Sequence, residues 1–116
     1  MTKSFEQLIK KLKKLQGYYI LSQEETCLIV GTKIKFREYI ELHGNPFQPV
    51  TQVKNREVPA FFVVATPQTT IKKINEFKAQ NFLIFNIPNM SITSEQLEHS
   101  LKNFTDHIQY RQAILN

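Results

Sequence analysis

Residues 57–91 most restrict what this chain can fold into, because they read as an apolar run, a polar segment with helical spacing, and a second apolar run. The first run extends from Val58 to Ala65 and the second from Phe82 to Ile87, with Gln68 to Gln80 between them. Neither run alternates apolar with polar residues; each is apolar at nearly every position. A strand that is apolar on both sides needs cover on both sides, which the middle of a parallel sheet provides. The segment between the runs is long enough for a crossover helix, so the stretch predicts a right-handed βαβ unit. Phe61, Val63, Leu83 and Phe85 are then expected to be buried in two doubly covered strands.

Two further helices are marked by spacing and by their ends. From Ser4 to Gln16, Phe5, Leu8, Ile9, Leu12 and Leu15 recur at intervals of three and four, the stripe of an amphipathic helix. Ser4 and Gln7 stand in capping-box relation, and Gly17 supplies the left-handed residue that closes a helix. Lys10, Lys13 and Lys14 point away from the stripe and Lys11 lies at its border. Near the other end, Ile92, Thr93, Gln96 and Leu97 match staple, cap, capping-box partner and staple partner in order. Leu97, Leu101, Phe104 and Ile108 continue that stripe, so the last helix is predicted to reach about Ala113.

Between the first helix and the βαβ stretch the pattern is that of strands. Tyr18 to Ser22 and Thr26 to Val30 flank the polar Gln23, Glu24 and Glu25, which predicts a hairpin. Gly31 is expected to break or bulge the chain. From Lys33 to Leu42, Ile34, Phe36, Ile40 and Leu42 share one parity, while Lys33, Lys35, Arg37, Tyr39 and Glu41 share the other. Such alternation marks a strand with one buried and one wet side. His43 to Pro46 is a turn by composition. Residues 47–53 are restricted by Pro49 to an edge strand or an irregular connection, and Lys54-Asn55-Arg56 reads as a second polar corner. Thr66-Pro67 is a helix-entry signal, and Ile71, Ile74 and Phe77 are the expected inner side of the crossover helix. The predicted fold is α/β (α+β): one compact domain over residues 1–116, in the order α-β-β-β-(β)-α-β-α. A mixed sheet carries the C-terminal βαβ unit and flanking helices.

A chain of 116 residues with 41% hydrophobic content and nine Phe can bury one core. Its longest apolar run falls short of the ~20 residues that a membrane helix needs. The N-terminus is basic but has no compact apolar segment or small-residue cleavage site, so a cytoplasmic protein without membrane attachment is expected. Cys27 is the sole cysteine and sits in an apolar run, where a buried inert thiol is expected. The net charge of +5 favours encounters with polyanions, either nucleic acid or an acidic protein surface.

The predicted element order resembles the core of restriction-endonuclease-like nucleases: a helix, three antiparallel strands, then helix, strand and helix. Those enzymes carry an acidic residue on one strand and an acid-x-Lys pair on the next, to hold Mg²⁺ and activate water. Here the sole Asp, Asp106, falls in the last helix, and neither Glu38 nor Glu57 is followed two residues later by Lys. Glu76 and Lys78 have the spacing, but on a helix. The resemblance therefore implies fold order and not activity. No nucleophile elbow or glycine-rich phosphate loop is present, and His99 and His107 are too far apart in sequence for i, i+4 metal pairing. Thr66, Gln68, Thr69 and Thr70 lie where a strand enters a helix, a place that serves either capping or a weak anion site.

No catalytic residue, cofactor or metal is expected. The function predicted is non-catalytic binding, with nucleic acid ahead of an acidic protein partner. The residues expected to carry it are the helix cluster Lys10, Lys13 and Lys14 and the strand face Lys33, Lys35, Arg37 and Tyr39. On the strand an aromatic interleaves with cations, as stacking-plus-phosphate surfaces do. The alternative is a small interaction subunit or inhibitor presenting a basic surface, for which Tyr18, Tyr19, Tyr39 and Tyr110 would suit an interface. A nuclease-like fold without a recognisable active site is the more remote alternative.

Overall fold

The computed structural model describes the backbone of residues 3–42 and 50–115 and the side chains of residues 3–36 and 53–108. In chain order the elements are α1 (Lys3–Lys14), β1 (Tyr18–Gln23), β2 (Cys27–Leu42), β3 (Val50–Ala65), α2 (Ile71–Ala79), β4 (Leu83–Asn86) and α3 (Ser94–Leu115). The strands form one four-stranded mixed sheet in the order β1-β2-β3-β4. β1, β2 and β3 are antiparallel neighbours, and β4 joins β3 in parallel. The α+β class, the element order and the parallel pairing across the crossover helix are those predicted. The bracketed extra strand is not separate, because β3 takes it in.

The two sides of the sheet are covered unequally, and that decides where a surface is left open. On one side, Leu28, Val30 and Ile34 of β2 and Phe62 and Val64 of β3 pack with Phe5, Leu8 and Leu12 of α1 and with Leu97, Leu101 and Ile108 of α3. On the other, α2 covers only a small cluster of Cys27, Val63 and Phe77. Burying the first set removes most of the apolar surface from water, so this side supplies the main hydrophobic stabilisation. The long β2–β3 ladder extends the molecule to 63 × 29 × 21 Å.

Several expectations are corrected at this level. Gly31 does not interrupt the chain: β2 runs unbroken through it from Cys27 to Leu42, and the irregularity falls instead in β1, between Ile20 and Ser22. Lys54, Asn55 and Arg56 are not a corner but lie within β3, opposite Glu38, Arg37 and Phe36. Arg56 there places its guanidinium 5.5 Å from the centre of the Phe36 ring, a cation–π contact that a corner would not offer. Pro59 lies deep in β3, opposite Lys33. It is tolerated because β4 pairs only with Phe62 to Ala65, which leaves β3 an edge strand at Pro59. The expected turn at His43 to Pro46 lies outside the described residues.

β4 is itself the outer strand of the sheet, and the expected double cover of both apolar runs holds only in part. Val63 and Phe85 are buried, but Leu83 is half-buried and Phe61 is 43% exposed. A four-residue edge strand needs less cover than a central one, and α2 is too short to shield the sheet as far as Phe61. α2 begins at Ile71, capped by the Thr70 hydroxyl accepting from the Lys73 N–H, so Pro67 precedes the helix instead of entering its first turn. Ile71 is 78% exposed and not on the inner side. Tyr18 is half-buried against the main core rather than free for an interface.

Helix ends follow their signals closely. Gly17 has φ +88, the left-handed value expected after α1. The Thr93 N–H donates to Gln96 Oε1 at 3.1 Å and the Gln96 N–H donates to Thr93 Oγ1 at 3.2 Å, a reciprocal capping box. Ile92 and Leu97, the staple pair, are both buried. α1 begins at Lys3, one residue ahead of the expected cap Ser4.

Candidate nucleic-acid interface

Alternation along β2 produces the surface of interest. Successive side chains of a strand point to opposite sides, so burying Ile34 under the helices, with Phe36 buried on the same side, sends Lys33 and Lys35 to the other side, where both are exposed. The ladder sets Lys33 beside Pro59 and Lys35 beside Glu57. Two residues back from Lys33, Gly31 is paired with Tyr19 of β1 and with Phe61 of β3. Tyr19, at 47% exposure, and Phe61 therefore lie in one row across three strands, on the same side as the lysines. Among the described residues, nothing beyond the small cluster under α2 covers this part of the sheet.

Gly31 shapes the row. A Cβ built on it would meet Cε2 of the Tyr19 ring at 2.7 Å, closer than real Cβ contacts come. Without that carbon the ring lies down across the backbone of β2 instead of standing off the sheet. Glycine within a strand marks such a close approach. Arg37 and Tyr39 continue β2 at the same alternate positions, paired with Asn55 and Val53, and their side chains lie outside the described ones.

The lysines of α1 do not join this surface. Lys10, Lys13 and Lys14 are exposed, but α1 packs on the helix-covered side of the sheet. The two predicted cation groups thus open on opposite sides of the molecule. Lys11 has a structural part: its ammonium donates to the Ile92 carbonyl at 2.8 Å and ties α1 to the approach to α3.

The other candidate positions resolve into packing and capping. Thr66 Oγ1 and Thr69 Oγ1 both donate to the Thr26 carbonyl, at 2.7 and 3.0 Å. The Thr66 N–H in turn donates to Thr69 Oγ1 at 3.1 Å. These hydroxyls clamp the start of β2 to the turn before α2, a structural part for Thr66 and Thr69. Cys27 is fully buried, and burial, followed by the nearby Glu24 carboxylate, pushes its thiol up to about 11. A thiol held so far above neutral pH is a poor nucleophile. Glu24 also pairs with Lys73 at 2.9 Å, which ties the β1–β2 turn to α2.

Glu57 lies inside β3 opposite Lys35, and Glu38 lies in β2 opposite Lys54. Among the described residues, no three His, Cys, Asp or Glu side chains are grouped to hold a metal ion. His99 and His107 are both exposed on α3, and His43 lies outside the described residues. A groove of about 520 Å³ runs along β4 between α2 and α3, with Lys78, Asn81, Asn86, Phe104 and His107 among its lining. None of the residues expected to bind nucleic acid lines it. Among the described residues, no helix is long and apolar enough to cross a membrane.

Sequence reasoning reached Lys33 and Lys35 through their parity and named Tyr19 as exposed. It missed Phe61 as a surface residue and Gly31 as its neighbour. A glycine amid β-forming residues was the available signal, but the partner opposite it could be read only from the register. No protein-family model, curated protein or solved structure matches this chain.

Proposed function

We propose that this chain is a non-catalytic nucleic-acid-binding protein that meets its ligand on the open side of β1, β2 and β3. The observation supporting the reading is the conjunction of exposed Lys33 and Lys35 with exposed Tyr19 and Phe61 on one uncovered stretch of sheet. Ammonium groups on such a surface attract the phosphate backbone without reading sequence. The net charge of +5 adds a long-range field that speeds encounter with a polyanion. Glu57, opposite Lys35, tempers the charge locally and keeps the surface from being uniformly basic.

A salt titration with generic DNA and RNA oligonucleotides tests the proposal. Binding is expected to be largely independent of sequence. The logarithm of the affinity should fall linearly with the logarithm of salt, by about 0.7–0.9 per phosphate contact. Weak, salt-insensitive binding to every oligonucleotide would contradict it and leave the basic surface to an acidic protein partner.

A further inference from the structure

We infer that the ligand of this surface is single-stranded nucleic acid, held by bases stacking on Tyr19 and Phe61 while Lys33 and Lys35 take the adjoining phosphates. This rests on the nucleic-acid reading above and goes further by naming the strandedness and the anchoring residues. Tyr19 and Phe61 are both paired with Gly31, so they stand two strand spacings apart, about 10 Å. Gly31 contributes no side chain of its own between them, and the Tyr19 ring lies over it along the sheet, toward Phe61. Two large aromatic side chains exposed at 47% and 43% are hydrophobic surface that water solvates poorly. A base can cover each ring whatever its identity, because every base has a π-face.

The lysines are placed to serve the same strand. Lys33 lies two residues beyond Gly31 on β2 and Lys35 four, which is roughly 7 and 14 Å along the strand. Long flexible ammonium side chains at those distances reach the phosphates that flank a stacked base. A duplex presents its bases edge-on inside the grooves, so the aromatics would contribute little to binding one. The geometry thus favours unpaired bases over paired ones.

The test compares a labelled single strand of ~12 nucleotides with the hairpin duplex of the same sequence, over a salt series. Wild type should hold the single strand at least about tenfold more tightly than the duplex, and binding should quench tyrosine fluorescence, which is readable because the chain has no Trp. Tyr19→Leu and Phe61→Leu should each weaken the single strand by about 5- to 150-fold, the range of one lost stacked base, with little change in the salt slope. Gly31→Ala is the sharper variant. It keeps both aromatics, yet its methyl displaces the end of the Tyr19 side chain, which can swing away, so the fold should persist while single-strand affinity falls. Thermal melting of each variant separates lost binding from lost folding. Equal binding of single strand and duplex, with the aromatic variants silent, would overturn the stacking inference and leave the nucleic-acid reading standing. Failure of wild type to bind either would overturn both.

Discussion

Phe61 and Phe85 lie one strand apart, and their surroundings assign them opposite parts. Phe85 is 8% exposed and meets the Phe104 ring at 5.3 Å between centroids, at a steep angle. Phe104 also approaches Phe62 at 5.0 Å, so one ring of α3 packs across two neighbouring strands. Phe85→Ala removes both packing and an edge-to-face contact and should cost ~3–5 kcal/mol. Phe61→Ala removes a side chain already largely in water and should cost less than about 1 kcal/mol. Urea unfolding midpoints measure the two directly. Comparable losses would mean that Phe61 is covered in solution, which would remove it from the binding surface.

At the scale of elements, the capping box of α3 carries a prediction of its own. Thr93→Ala removes the oxygen that accepts from the Gln96 N–H and should lower stability by ~1 kcal/mol, seen as a lower urea midpoint with unchanged slope. Stability equal to wild type would show that α3 is held by its packing alone. This helix was legible in sequence because its signals are local: cap, staple and stripe lie within a few residues of one another. The same holds for α1 and its closing Gly17. The β2–β3 hairpin was only partly legible. Its alternation from Lys33 onward was visible, but Gly31 read as an interruption and the place of Pro59 deep within the strand was hidden, since both depend on partners distant in sequence. The Tyr19 ring needs Gly31 bare beneath it, and Pro59 needs β4 to stop short of it. The edge position of β4 was hidden for a similar reason: an apolar run specifies that cover exists, not that a neighbouring strand lies on both flanks. The candidate surface inherits that limit. Its lysines were found by parity, whereas the row of Tyr19, Gly31 and Phe61 exists only through strand register.

At the scale of the whole molecule, the described residues cover one side of the sheet heavily and the other only near α2. α1 and α3 occupy the heavily covered side, so the lysines of α1 face away from those of β2. This separation allows the central claim to be tested by one comparison. Lys33→Gln/Lys35→Gln and Lys10→Gln/Lys13→Gln remove the same charge from opposite sides, and all four side chains are exposed, so folding should be little affected. Single-strand binding is then measured for both variants and wild type across a salt series. The strand-face variant should bind more weakly and lose up to ~1.4 from its logarithmic salt slope, about 0.7 for each phosphate contact removed. The helix-face variant should stay close to wild type. Equal losses from the two sides would show a diffuse positive field in place of a site, and a loss confined to the α1 variant would place the ligand on the opposite side of the sheet and contradict the account.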